Sequence, residues 1–208
     1  MIDLYSANTP NGKKISIMLE EIGYEYKVTK IDLDKGEQFN LDFKKISPFG
    51  KIPAIIDHES NKSVFESGAI LIYLAEKSGK FYDVDNRLKI NQWLMAQMGY
   101  IGPMLGQHHQ FHHYNPGKSK FGEERYFKIS KSIYQDLDQR LAKSNYLSGD
   151  EYSISDIATF PWIARHEWHD IGLSKFNNLT RWYKEISKRE AVIRGFSFMK
   201  KNEHPPKP

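Results

Sequence analysis

The apolar periodicity of this chain changes character once, near Tyr82, and that change limits what the polypeptide can fold into. Before Tyr82, strand and helix patterns alternate. Ile2 to Tyr5 is a short apolar run, and the turn formers Asn8-Thr9-Pro10-Asn11-Gly12 follow it. Ile15, Ile17, Met18, Leu19 and Ile22 then recur at helical spacing until Gly23 stops the helix. Tyr26, Val28 and Ile31 read as a second strand, and Phe39, Leu41, Phe43 and Ile46 as a short helix. Ile52 to Asp57 and Ser63-Val64-Phe65 read as the two strands of a hairpin. Glu66-Ser67-Gly68 opens a helix carrying Ile70, Leu71, Leu74 and Ala75, closed by Gly79. From Asn86 onward only helical spacing recurs: Leu88-Trp93-Leu94, Tyr126-Ile129-Ile133-Leu137-Leu141, Ile157-Ala158-Pro161 and Trp182-Tyr183-Ile186.

The order β-α-β-α-β-β-α calls for a four-stranded mixed sheet covered by helices through right-handed crossovers, a thioredoxin-like layout. The fold class is therefore α/β plus all-α: a thioredoxin-like domain over residues 1–80, a linker over 81–85 and an all-helical domain over 86–208. No window approaches the ~18 uninterrupted apolar residues of a membrane span. Met1-Ile2-Asp3-Leu4 has neither a basic nor an apolar leader region, so a cytoplasmic protein without a membrane partner is expected. The 30 basic residues exceed the 26 acidic ones by only four and are interleaved with them, so no nucleic-acid partner is expected.

The chain has no cysteine, so any thiol chemistry needs a thiol from outside. Three loops offer groups for such a ligand, and each also has a plain structural reading. Ile52-Pro53 opens a strand with a residue that cannot donate a ladder hydrogen bond. A cis bond there turns the Ile52 backbone outward to pair with a peptide, whereas a trans bond makes it an ordinary edge proline. Glu66-Ser67 at a strand-to-helix junction offers N–H groups and a hydroxyl to a carboxylate and a carboxylate to an ammonium, or else simply caps the helix. Thr9 and Asn11 place a hydroxyl and an amide near the positive end of a helix, where an anion such as a thiolate is favoured, or else only make the turn.

Together these features resemble a cytosolic glutathione transferase over essentially the whole length. The landmarks are Ser47-Pro48-Phe49-Gly50-Lys51-Ile52-Pro53-Ala54, Phe65-Glu66-Ser67-Gly68-Ala69-Ile70, and Ser153-Ile154-Ser155-Asp156 in the helical half. The last also reads directly as a capping box, with Ser153 as N-cap, Asp156 at the third helical position, and Tyr152 and Ile157 placed as a hydrophobic staple. Leu4 to Lys14 and Gly102 to His109 resemble the nu class, which includes bacterial disulfide-bond reductases. The resemblance implies glutathione as co-substrate: Glu66 and Ser67 on the γ-glutamyl head, the Ile52 backbone on the cysteinyl unit with Pro53 structural, Thr9 and Asn11 as the catalytic pair near the sulfur, and Gln38 and Arg125 on the remaining polar groups. It also implies a homodimer. Lys51 is either a further cation for the glycyl carboxylate or, the preferred reading, a solvated lysine, and Tyr5, ranked below Thr9 and Asn11 as a thiol activator, is read as an in-strand core or interface residue.

His108 with His112 and His109 with His113 stand at i,i+4, a spacing that suits metal ligation, but no carboxylate lies nearby in sequence and no metal is expected. His166-Glu167-Trp168-His169 has two residues between its histidines where the zinc-protease motif has three. Trp162, Trp168 and Trp182 are read as core or cleft aromatics. The leading functional reading is glutathione-dependent reduction of disulfides, and of peroxides as well. Conjugation of electrophiles and a non-catalytic binding module on the same fold stay open as alternatives.

Overall fold

The computed structural model describes residues 1–208. Its first part runs β1 (Ile2–Ser6), α1 (Pro10–Ile22), β2 (Tyr26–Lys30), α2 (Leu41–Ile46), β3 (Ala54–Asp57), β4 (Lys62–Phe65) and α3 (Ser67–Ser78), with a 3-10 turn at Glu37–Phe39 before α2. The strand order is β2-β1-β3-β4, with β1 parallel to β2 and antiparallel to β3, which is antiparallel to β4. This is the expected thioredoxin-like arrangement. Alternation along β1 buries Ile2, Leu4 and Ser6 and leaves Tyr5 half-buried, its ring 6.3 Å from that of Phe43. Tyr5 thus packs on the cluster of Ile31, Phe43 and Ala54, the in-strand role expected of it.

Helix α1 starts earlier than its apolar spacing implies. Thr9 is its N-cap and Pro10 occupies the first turn, where a missing N–H costs nothing. Gly12 is obligatory there: a Cβ would lie 2.3 Å from the Ala7 carbonyl oxygen and 2.4 Å from Ser6 Oγ. Gly23 and Gly79 end α1 and α3 in the left-handed conformation, as the sequence anticipates.

The second part is helical: α4 (Arg87–Ala96), α5 (Gly102–His108), α6 (Lys120–Leu141), α7 (Ile154–Ile163), α8 (His166–His169), α9 (Asn177–Ser187) and α10 (Glu190–Phe196). π-helical turns at Gln97–Ile101 and His109–Tyr114 flank α5. The capping box at α7 is formed. Asp156 accepts from the Ser153 N–H at 3.1 Å, the Leu147 N–H at 3.0 Å and Trp182 Nε1 at 2.8 Å, all within the buried core.

Two compact units result: Met1–Tyr82 with Arg189–Pro205, and Asp83–Lys188 with Pro206–Pro208. The expected domain of residues 86–208 is corrected at its C-terminal end, because α10 packs on α1. Gly195 permits the contact, since a Cβ there would lie 2.6 Å from Ile17 Cα, and Ser16 Oγ donates to the Gly195 carbonyl at 2.6 Å. The Arg189 guanidinium forks onto Glu21 at 2.6 and 2.8 Å. No helix is long and apolar enough to cross a membrane.

Candidate functional site

Strand register gathers the sequence-predicted residues of the first unit. Tyr5 pairs with Ala54 and Ala54 with Phe65, while Ser6 pairs with Lys30 across the parallel ladder. Because β1, β2 and β4 run one way and β3 the other, the loops after Ser6, after Lys30, before Ala54 and after Phe65 all leave from one end of the sheet. Thr9, Gln38, Ile52-Pro53 and Glu66 lie on those four connections, with Asn11 in the first turn of α1 and Ser67 opening α3. Arg125 belongs to the other unit, exposed on α6.

The Thr9 hydroxyl accepts from the Gly12 N–H at 3.1 Å, so it caps α1 and keeps its own proton for a further acceptor. Asn11 follows in the first helical turn, half-buried. Thr9 therefore serves local structure, and both residues stand at the positive end of a 13-residue helix, where a negative charge is favoured.

The Ile52-Pro53 peptide is cis. The Ile52 side chain packs on the Ile31, Phe43 and Ala54 cluster, and β3 pairing begins only at Ala54, so the Ile52 backbone groups lie outside the ladder. Gly50 sets up this turn at φ +60°, where a Cβ would stand 2.7 Å from the Gln38 carbonyl oxygen. Gln38 is half-buried. Its Nε2 reaches the Leu33 carbonyl at 3.5 Å while its buried Oε1 has no partner, an acceptor available to a ligand.

Glu66 stands at the N-cap of α3 with φ 70° and makes no side-chain capping hydrogen bond. Plain capping is therefore not what this residue does. A non-glycine residue at positive φ costs about 1–3 kcal/mol and persists where surroundings impose it, commonly at functional sites. Ser67 beside it is buried and accepts from the Lys14 ammonium at 3.3 Å. Burial pushes Lys14 well below the ordinary lysine range, and the Glu66 carboxylate opposes that shift. Sequence reading passed over Lys14, although a signal existed: it shares the i, i+3, i+4 stripe of Ile17 and Met18. Lys51 is exposed, as read.

The histidines of the other unit are joined to one another. Tyr134 OH is 2.7 Å from His169 Nδ1, whose Nε2 is 2.8 Å from His109 Nε2, and His108 Nε2 donates to the His169 carbonyl at 3.0 Å. His109 stacks on Trp162 and His113 on Trp168 with centroids 4.0 Å apart for the latter pair, so these two tryptophans line the cluster while Trp182 is core. Burial drives His169 well below its usual range and His109 down to about 3. A carboxylate absent from the neighbouring sequence does approach, Asp170 at 3.8 Å from His112. No group of three or more His, Cys, Asp or Glu side chains is arranged to hold a metal ion.

Comparison with known proteins points to one family. Residues 1–76 match the N-terminal domain of glutathione S-transferases and residues 114–190 the C-terminal domain. Disulfide-bond oxidoreductase YfcG of Escherichia coli (strain K12) is 45% identical over 199 residues, 92% of this chain and 93% of that protein. A glutathione transferase from Burkholderia graminis, solved with two glutathione molecules per subunit, is 41% identical with a TM-score of 0.90, covering 96% of this chain and 89% of that one. A glutathione transferase from Pseudomonas putida, solved with one glutathione disulfide per subunit, is 41% identical with a TM-score of 0.88, covering 95% and 91%. With its sheet-end loops and both sequence domains accounted for, this chain belongs to the glutathione S-transferase family.

Proposed function

We propose that this protein reduces disulfides with glutathione. The observation that carries the reading is the convergence of Thr9, Asn11, Gln38, Ile52, Glu66 and Ser67 on one end of the sheet in a chain without cysteine. Likeness to disulfide-bond oxidoreductases rather than to transferases alone supports the choice of reaction. Glu66 takes the ammonium and Ser67 the carboxylate of the γ-glutamyl head. The Ile52 backbone pairs with the cysteinyl unit, and Gln38 and Arg125 hold the remaining amide and carboxylate groups. Thr9 and Asn11 donate to the sulfur at the positive end of α1, favouring thiolate over thiol.

The thiolate attacks one sulfur of the substrate disulfide, forming a mixed disulfide and expelling a thiolate that takes up a proton. A second glutathione thiolate then attacks the glutathione sulfur of that mixed disulfide. Glutathione disulfide forms and the second substrate thiol leaves. Two glutathiones are oxidised, one disulfide is reduced, and no atom of the polypeptide changes oxidation state. The protein acts as a cytoplasmic homodimer in this reading, which a light-scattering mass near twice 24.3 kDa supports and a mass near 24.3 kDa refutes.

Turnover of a small dialkyl disulfide, a hydroperoxide and an aryl halide, each with glutathione, tests the reaction. Disulfide reduction is expected to be the fastest. Conjugation of the aryl halide without disulfide reduction would assign a transferase instead, and absence of millimolar glutathione binding by calorimetry would leave only a binding module.

A further inference from the structure

Helix α8 meets the π-helical turn His109–Tyr114 through rings. His169 stacks on His109 with centroids 4.8 Å apart, and Trp168 stacks on His113 at 4.0 Å while the Arg165 guanidinium stands over its ring at 4.2 Å. One hydrogen bond joins the two elements at their buried side, from His169 Nε2 to His109 Nε2 at 2.8 Å, and its polarity can be worked out. Tyr134 is buried in the core and its hydroxyl meets one partner, His169 Nδ1 at 2.7 Å. A hydroxyl proton needs an acceptor, so Tyr134 donates and His169 Nδ1 accepts. A neutral imidazole has a single N–H, so His169 carries it on Nε2 and donates to His109 Nε2. The basic nitrogen of His109 is therefore the atom that holds α8.

We propose that the His109–His169 contact is an acid-sensitive latch: protonation at His109 Nε2 releases α8 from the π-helical turn while the other helices of this unit stay folded. A proton added there sets two N–H groups against each other across 2.8 Å. Reversing the chain of donors to admit it strands the Tyr134 proton in the core.

The surrounding groups favour release over a buried cation. Burial holds His109 at about 3 and His169 well below its usual range, and His108 and Arg165 oppose a positive charge on either ring. From α5, His108 is buried with Nε2 on the His169 carbonyl and Nδ1 without a partner. His166 faces the Tyr183 ring of α9 and the Pro206 carbonyl. Two carboxylates stand nearby, Glu167 and Asp170, both on exposed side chains. His112 lies 3.8 Å from Asp170 and His113 is exposed on Trp168, so both take protons where they stand. The covalent connection also suits a small opening. Helix α8 has four residues, and the chain leaves it through Asp170 at φ 51° and Gly172 at φ 85°. Asp170 is a non-glycine residue in the left-handed region, a conformation that the packing imposes and that release relaxes.

Amide exchange of the full chain in increasing urea, read by mass spectrometry at pH 7 and pH 5 and corrected for the intrinsic rate at each pH, tests the latch. Residues 107–116 and 164–172 are expected to exchange through an opening with a small urea slope, because little surface is uncovered, and Leu179–Ile186 through global unfolding with the full slope. A released ring titrates near ~6.5, so each one favours the open form about 25-fold more at pH 5 than at pH 7. The population of the small opening is expected to rise at least 25-fold between those values. In His109→Gln, whose Oε1 accepts from His169 and does not titrate, the rise is expected to be about 25-fold less. Exchange of both segments at the full slope at both pH values overturns the proposal, as does a small opening whose population is the same at pH 7 and 5. An equal pH effect in parent and variant overturns it as well. If the glutamine variant does not fold, the urea slope and pH effect of the parent decide alone.

Discussion

Thr9 offers a substitution in which cap and catalyst separate. Thr9→Val removes the hydroxyl at nearly constant volume and acts in two places. The Gly12 N–H, buried and 3.1 Å from Thr9 Oγ1, loses its partner, and loss of an N-cap costs about 1 kcal/mol of stability. Under the proposed function, the thiolate of bound glutathione also loses a donor. A hydrogen bond to a charged group contributes about 1.5–3 kcal/mol, which at 1.36 kcal/mol per unit raises the thiol pKa by roughly 1–2 units. The thiolate fraction at pH below that pKa then drops about 10- to 100-fold, but a more basic thiolate is also the better nucleophile, with a Brønsted slope near ~0.45. The net fall in kcat is therefore about 3- to 10-fold, smaller than the titration alone implies.

The assay is paired: urea denaturation for the cap, and ultraviolet thiolate absorbance of saturating glutathione against pH for the donor. Thr9→Ser is expected to restore both. If Thr9→Val lowers stability yet leaves the thiol titration and kcat unmoved, Thr9 is a cap alone, and Asn11 with the helix end must account for any thiolate.

Two further outcomes concern stability. Asp156→Ala strands the N–H groups of Ser153 and Leu147 and the Trp182 indole in the core, and urea denaturation is expected to show a loss of about 3–5 kcal/mol; a loss under ~1 kcal/mol would mean that water satisfies them. Acid should act through the histidine cluster. Burial holds His109 at about 3 in the folded state against ~6.5 unfolded, so it subtracts nothing above pH 6.5 and an increasing amount as pH falls through that value toward 3. Asp156 works the other way, since burial raises it to about 6 and its protonation favours the folded state below that pH. Subtracting the curve of a His109→Gln variant cancels the aspartate. The parent is then expected to lose about 2 kcal/mol relative to the variant between pH 7 and 5, and parallel curves would sink the assignment.

Much of this fold is legible because local and long-range signals agree. The apolar run at Ile2, the stripe from Ile15 to Ile22, and the terminal Gly23 and Gly79 each specify an element alone, and sheet-end loops follow from strand direction. Ser153 and Asp156 were readable as a box because capping is local in sequence. Contacts across large separations were not readable. His169 meets His109 and Tyr134 from α8, at separations of 60 and 35 residues, and no periodicity announces that meeting. The π-helical turns were equally hidden, since the apolar pattern from Ile101 to Phe111 is too sparse to distinguish one helical period from another.

The least legible feature bears most on the chemistry. Helix α10 and the residues after it as far as Pro205 belong with α1, and Glu203 joins the two ends of the Thr9 loop, accepting from Asn8 Nδ2 at 3.0 Å and Lys13 Nζ at 2.7 Å. Thr9 itself closes onto Gly12 between those points, and Gly12 abuts the end of β1. A segment tied at each end and capped in its middle has few conformations left. Oriented dipoles stabilise a developing charge in proportion to how little they must reorganise when it arrives. The sequence displays the donors as five consecutive turn formers, which suggests mobility. Their rigidity is supplied by a carboxylate 190 residues from Lys13, so under the proposed function the part of this chain that readies the loop for a thiolate lies at the opposite end of the polypeptide from the loop itself.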